Sequence, residues 1–427
     1  MRTIAVFILG LFLAASDVSA ATYYVATTGQ DAGPGSLAAP WATLQNAVES
    51  IQPGDTVLVQ PGTYAGFRIE NSGRSGALKT IRAVSALSVV VNRPGPKNRH
   101  SSNIEIESFG GTIGFWVIAG FDSMSSPRYG IDLRDTTNVQ VRNCRARSSR
   151  YTGIFTAFSD HVLIANNESL SNGEHGIYHS NSGDYPIIRA NHSHHNYAAG
   201  IHMNGDYSMG GDGQISFALV EQNVIWENGT GGGSAINCDG VEDSLFRNNL
   251  IYNNHASGIS LYVGDGARAS SRNKVYNNTI VMAADGRWVI NIPKAPAGVS
   301  DPVDNRVYNN ILYTPHVWRG SISTYGPTPA GFESDYNVVV NSFSIDDGAN
   351  RIFLAQWQSL GHDRHSIIAT PAQLFANPAA FNFRLKSGSP AINTGMSLDL
   401  DVPYDFLGQK RPKLGAYDIG AYESKTP

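Results

Sequence analysis

Apolar positions in this chain recur with two superposed periods. Within short runs they alternate with polar residues, as in Val139-Gln140-Val141, or fill the run, as in Val162-Leu163-Ile164. On a longer scale a Gly-Ile step returns at Ile131, Ile154, Ile177, Ile201 and Ile259, with Ala235-Ile236 as a variant. Successive gaps are 23, 23, 24, 35 and 23 residues. The short period predicts short strands. The long one predicts that each group of strands is one rung of a stacked solenoid, because a unit of this size cannot bury its apolar face alone.

Asparagine keeps step with isoleucine. Ten residues before the isoleucines stand Asn167, Asn191 and Asn249, with Cys144 in the first copy; Asn223, Asn278 and Asn310 look like the same position in longer coils. Five residues before stand Asn172, Asn196 and Asn254, with Ser149 first and Asn228 in the longer coil. Turns between short strands need residues that tolerate a left-handed backbone. Stacked asparagine amides can satisfy turn groups that would otherwise be buried unpaired. The pattern predicts an all-β chain folded as a right-handed parallel β-helix. A leucine-rich repeat has a similar period, but its leucine-asparagine signature is missing.

Side chains alternate between the two faces of a strand. With each repeat isoleucine inward, one outward column reads Asp132, Phe155, Tyr178, His202, Asn237, Ser260. A second reads Arg134, Ala157, Ser180, Asn204, Asp239, Tyr262. The inward column between them, Leu133, Thr156, His179, Met203, Cys238, Leu261, is mostly apolar, as the register requires. The run Val289-Ile290-Asn291-Ile292 is expected to continue the columns and to bring Lys294 near them. The outward set is polar where two insertions fall, at residues 205–217 and 229–234. Loops beside a solenoid face build the walls of a cleft, so Tyr178, His202, Asn204, Asp206, Asn237 and Asp239 are expected to share one groove, with Asp212 on the flanking loop.

Before the coils, Trp41 to Ile51 reads as a short amphipathic helix covering the open end of the core. Four segments follow from the pattern: a leader over 1–20, an opening strand and capping helix over 21–56, coils over 57–314, and a C-terminal cap and lateral packing segment over 315–427. The leader has a basic start, an apolar run from Ile4 to Ala15 and a small-residue cleavage site at Val18-Ser19-Ala20, which predicts an exported protein, periplasmic or extracellular. With a net charge of -4 and no basic run, neither nucleic acid nor a membrane is an expected partner. Cys144 and Cys238 lie about four coils apart, too far for a disulfide. The sequons at Asn167, Asn191, Asn228 and Asn277 read as structural.

The opening block from Tyr23-Tyr24-Val25 to Gly62-Thr63-Tyr64, the asparagine-rich coils and the ending Asp418 to Glu423 resemble the superfamily of secreted right-handed β-helix proteins that includes polysaccharide lyases of the pectate and alginate lyase type. The resemblance implies an exported lyase that cleaves a uronate-containing polysaccharide by β-elimination in a groove. It also implies a calcium-bound substrate carboxylate and a Lys or Arg base. Asp206, Asp212 and Asp239 supply oxygen donors of the type calcium prefers, as do Glu242 and Asp243; calcium is admitted without being required, and no organic cofactor is expected.

β-Elimination needs a base for the proton at C5, an acid for the oxygen at C4, and a group that neutralises the carboxylate. His202 is the expected base, Tyr178 the acid or relay, and Lys294 a further candidate base. Asn204 and Asn237 are expected to bind substrate, with Arg134 and Tyr262 farther along the face. His192, His194 and His195 fall in what reads as a turn, which would splay them away from a zinc ion. Three alternatives stay open: a uronan C5-epimerase, a glycoside hydrolase built on two carboxylates such as Asp206 and Asp239, and a non-catalytic carbohydrate-binding surface protein. A monomer is expected.

Overall fold

The computed structural model describes residues 20–108 and 110–424, so the expected leader lies outside the described residues apart from Ala20. Three long sheets run the length of the chain, with 12, 11 and 12 strands, and every neighbouring pair within them is parallel. One begins with Thr22–Val25 and ends with Glu333–Asp335; another runs from Gly62–Tyr64 to Ile367–Ile368. The 11-stranded sheet, from Phe67–Ile69 to Phe343–Ser344, contains the repeat isoleucines. This is a parallel β-helix.

The register is the one the periodicity implies. Ile131, Ile154, Ile177, Ile201, Ile236, Ile259, Ile290 and Ile322 pair in series and end on Phe343. All are fully buried, and each contributes about 1.5–3 kcal/mol by leaving water. Glycine precedes isoleucine because the coils meet there: a Cβ on Gly153 or Gly176 would lie 2.0 Å from the hydroxyl of Ser169 or Ser193 in a neighbouring strand.

Asn167, Asn191, Asn223, Asn249, Asn278, Asn310 and Asn337 form one buried ladder. Each side-chain oxygen accepts the backbone N–H and the amide of the asparagine one coil earlier. Each Nδ2 also donates to a backbone carbonyl, as Asn249 does to Val220. Cys144 closes one end through its N–H to Asn167, and Ser366 closes the other. Asn172, Asn196, Asn228 and Asn254 form a second ladder. The residue before each rung is left-handed, including Ala190 and Glu227. There the ladder, rather than the residue's own preference, fixes the turn.

The capping helix is Leu44–Ser50, with Thr43 as its N-cap. It is shorter than Trp41 to Ile51 because Trp41 forms a bridge with Val25 and donates its indole N–H to Gly33. At the other end the coils continue past residue 314, the expected limit. Ile322–Thr324, Glu333–Asp335, Val338–Val339 and Phe343–Ser344 extend all three sheets. Beyond Ile368 the chain turns back along the outside. Leu374, Phe375, Phe383 and Ile419 pack on Leu250, Ile311 and Val338, while Val402 and Tyr417 pack on Tyr276. Cys144 and Cys238 are buried free thiols.

Candidate functional site

Parallel pairing stacks outward side chains one coil apart, so Phe155, Tyr178, His202, Asn237 and Ser260 form a continuous column. Tyr178 and His202 stack with ring centroids 4.6 Å apart at an interplanar angle of 27°. His175, two residues before Ile177 in the preceding turn, swings in to 4.6 Å from His202 and 5.1 Å from Tyr178. Its Nδ1 accepts the Ala199 N–H at 3.2 Å. Two imidazoles and a phenol thus form one cluster.

The neighbouring side chains fix its orientation. His202 Nδ1 lies 3.1 Å from the Asn237 carbonyl oxygen. Asn237 Nδ2 donates to the Tyr262 hydroxyl at 2.8 Å and also lies 3.1 Å from His202 Nδ1. In the second column, Asn204 Nδ2 is 3.3 Å from both the Tyr178 hydroxyl and an Asp265 carboxylate oxygen. Asn204 Oδ1 accepts the Asp206 N–H. Asn204 and Tyr262, both expected to bind substrate, hold bonds to Tyr178 and Asn237 within the cluster.

Burial sets the protonation states. It pulls His202 below its ordinary pKa, against the opposing effect of the Asn237 carbonyl. His175 is held well below the ordinary value by burial and then by the proximity of His202. Burial raises the Tyr178 phenol, although Ser180 and Asn204 oppose the shift. Near neutral pH the cluster presents neutral imidazoles beside a protonated phenol. His179 is a core residue: its ring bonds Thr156 and the Gly183 carbonyl, and burial depresses its pKa to about 4.

Several expected site residues lie elsewhere or have other partners. Asn291 does continue the column, paired with Ser260. Lys294 lies beyond the strand Ile290–Ile292, exposed, with its N–H on Asp347. That strand is three coils from His202, about 14 Å at the usual strand spacing, so Lys294 does not join the cluster. Arg134 pairs with Asp132 at 2.9 Å and lies over Phe155, two coils from Tyr178.

The expected calcium donors do not converge. Asp239 accepts the backbone N–H groups of Gly264, Asp265 and Gly266 at 2.8–3.0 Å, which occupies both of its oxygens. Asp206 accepts the Ser208 hydroxyl and Asp212 the Gln214 N–H. Glu242 is clamped by Arg268 and Arg272, and Asp243 by Arg272. Among the described residues no group of three or more His, Cys, Asp or Glu side chains is arranged to hold a metal ion. The three aspartates therefore do not fit calcium as a set. His192 and His194 lie on a strand, not in the expected turn, and His194 stacks on Trp226 at 3.9 Å.

The chain matches the model of the Pel9A-like, right-handed β-helix region over residues 23–285 and belongs to that family. It is 23% identical to the pectate lyase PEL9 of Emericella nidulans over 336 residues, covering 66% of this chain and 82% of that protein. The crystal structure of pectate lyase Pel9A superposes with a TM-score of 0.65 at 15% identity, over 95% of this chain and 97% of the other. A rhamnogalacturonan lyase superposes with a TM-score of 0.53 at 17% identity, over 68% and 81%. These likenesses mark a polysaccharide-lyase-like β-helix.

Proposed function

We propose that the protein is an exported polysaccharide lyase that breaks a uronate-containing chain by β-elimination at the Tyr178/His202 cluster. The observation that carries this reading is the stack itself: a neutral imidazole and a protonated phenol 4.6 Å apart, on the outer face of the sheet. When His202 Nδ1–H donates to the Asn237 carbonyl, Nε2 carries the lone pair. Nε2 removes the C5 proton, the electron pair forms the C4–C5 double bond, and the C4–O bond breaks. Tyr178 gives its proton to the leaving oxygen, oriented by the Asn204 amide on its oxygen. The proton then returns from the imidazolium to the phenolate. Asn237, with one amide hydrogen on Tyr262, offers the other to the substrate carboxylate.

Pectate is the first polymer to try, because the family's relatives include pectate lyases. The leader read in the first twenty residues supports export, and among the described residues no helix is long and apolar enough to cross a membrane. The hydrolase alternative loses support because Asp239 is buried and held by three backbone N–H groups. Ultraviolet absorbance of the unsaturated product, followed on pectate, alginate and other uronans, tests the proposal. A rise on any of them supports elimination. A flat trace with altered C5 configuration by NMR would identify an epimerase instead, and binding without either change a carbohydrate-binding protein.

A further inference from the structure

A recess lies toward the N-terminal end of the solenoid from the Tyr178/His202 cluster. It has a volume of about 490 Å³ and is lined by Arg99, His100, Arg128, Tyr129, Arg150 and Tyr151, with Glu174 also on its wall. Arg128 covers the Tyr129 ring at 4.9 Å and Arg150 covers Tyr151 at 5.3 Å. Arg134 approaches Tyr129 from the strand face at 5.8 Å. Neither Arg128 nor Arg150 has an ion-pair partner among the described residues, whereas Arg134 is paired with Asp132. Burial raises the pKa of Glu174.

The rim is fixed before any ligand arrives. Glu105, buried, accepts the backbone N–H groups of Arg99, His100 and Ser102 at 2.8, 2.9 and 3.1 Å. The recess also connects to the Tyr178/His202 cluster through stacked rings. Tyr129 lies flat on Phe155 at 4.3 Å, and Phe155 meets the edge of Tyr178 at 5.3 Å. From the coil of Tyr129 to that of His202 is three steps, about 14 Å. An extended polymer lying along the coils with a reacting unit at His202 has units several positions further along at the arginines.

We infer that this recess is a carboxylate-binding subsite. Arg128 and Arg150, with Arg99 at the rim, take the acidic groups of a polyuronate several units from the scissile bond, and Tyr129 and Tyr151 pack against its sugar rings. Guanidinium groups suit this role because their planar donors match a carboxylate. The inference rests on the proposed function for the polymer's identity and narrows it: the chain takes a run of consecutive charged units, not an isolated uronate in a neutral polymer.

Binding by a His202→Gln variant, with turnover cut by about 10²–10⁴, separates the two readings. Affinity is measured for pectate oligomers from dimer to hexamer and for the carboxyl-reduced hexamer. Adding Arg128→Ala and Arg150→Ala is expected to weaken hexamer binding tenfold or more and to flatten its salt dependence, leaving the dimer and the reduced hexamer unchanged. Unaltered melting temperatures exclude misfolding, and with His202 intact the double arginine variant should keep kcat and raise KM. Equal hexamer affinity with and without the arginines would overturn the subsite while leaving the lyase reading intact. Failure of every uronan to bind or turn over would overturn both.

Discussion

His202 Nδ1 sits 3.1 Å from the backbone carbonyl oxygen of Asn237, the residue paired with it one coil further on. When His202 Nδ1 carries its hydrogen, the acceptor that holds it belongs to the solenoid backbone, with the Asn237 amide at the same distance from that nitrogen. His202→Gln should lower kcat by about 10²–10⁴, the usual contribution of a positioned base. Asn237→Ala removes the amide that reaches Tyr262 but keeps that carbonyl, so it should raise KM and leave the acid limb of the rate profile in place. Steady-state kinetics of both variants against pH test this.

Both shifts in the cluster widen the working range. The base acts when neutral, and burial has moved His202 below 6.5; the rate should fall only at pH values under that figure. The acid acts when protonated, and Tyr178 is raised above 10, so no alkaline limb is expected below that pH. Tyr178→Phe should cost about 10²-fold or more in kcat. A pH–rate profile with an acid limb at or above 6.5 would remove His202 from the role of base.

His179 links stability to pH. Its folded pKa is about 4 against an ordinary 6.5, so the unfolded chain takes up a proton first as the pH falls. Its full stabilising effect is present above pH 6.5 and is lost between 6.5 and about 4, by on the order of 3 kcal/mol. Melting temperatures across that window should fall less steeply for His179→Gln than for the wild type. Some slope should remain, since His175 and His202 are shifted in the same direction.

Asn249 connects three coils: its oxygen serves Asn223, and its amide serves Val220 and Asn278. Asn249→Ala strands several buried groups at about 1–3 kcal/mol each. A loss of at least about 3 kcal/mol in denaturant unfolding is expected, far above that of an exposed asparagine such as Asn350.

Asp239 makes charge-assisted bonds to three consecutive N–H groups of residues 264–266. Asp239→Asn should lower the unfolding free energy by about 2 kcal/mol or more, and added calcium should not restore it. Recovery of the melting temperature on adding calcium would show that the carboxylate serves a metal.

The register was legible because alternation and a return of 23 or 24 residues agree at every coil from Ile131 to Ile201. The column of Tyr178, His202 and Asn237 followed from it. The last coils were not legible: Ile322 follows a serine and Phe343 takes the isoleucine position, so the Gly-Ile marker is gone while the inward role persists. His175 was missed because it lies in a turn, where strand alternation says nothing of direction. A histidine just before a Gly-Ile step and one coil below His202 was the available signal. The bonds from Asp239 to the N–H groups of residues 264–266 were not legible, because backbone groups leave no trace in side-chain chemistry.

The outer C-terminal segment touches successive coils one after another: Gln222 bonds Asp405 and Phe406, Asn248 bonds Tyr404, Lys274 pairs with Asp401, Asn277 bonds Asp418 and Gly420, and Asn309 bonds Met396. A bare solenoid can fray rung by rung, since each repeat contacts only its neighbours. Here four successive rungs are sewn to one thread, so opening one of them pulls on the others. The coils that contribute Asn237 and Tyr262 fall within that stretch. The coils of Asn237 and Tyr262 thus borrow rigidity from residues well over a hundred positions later in the chain.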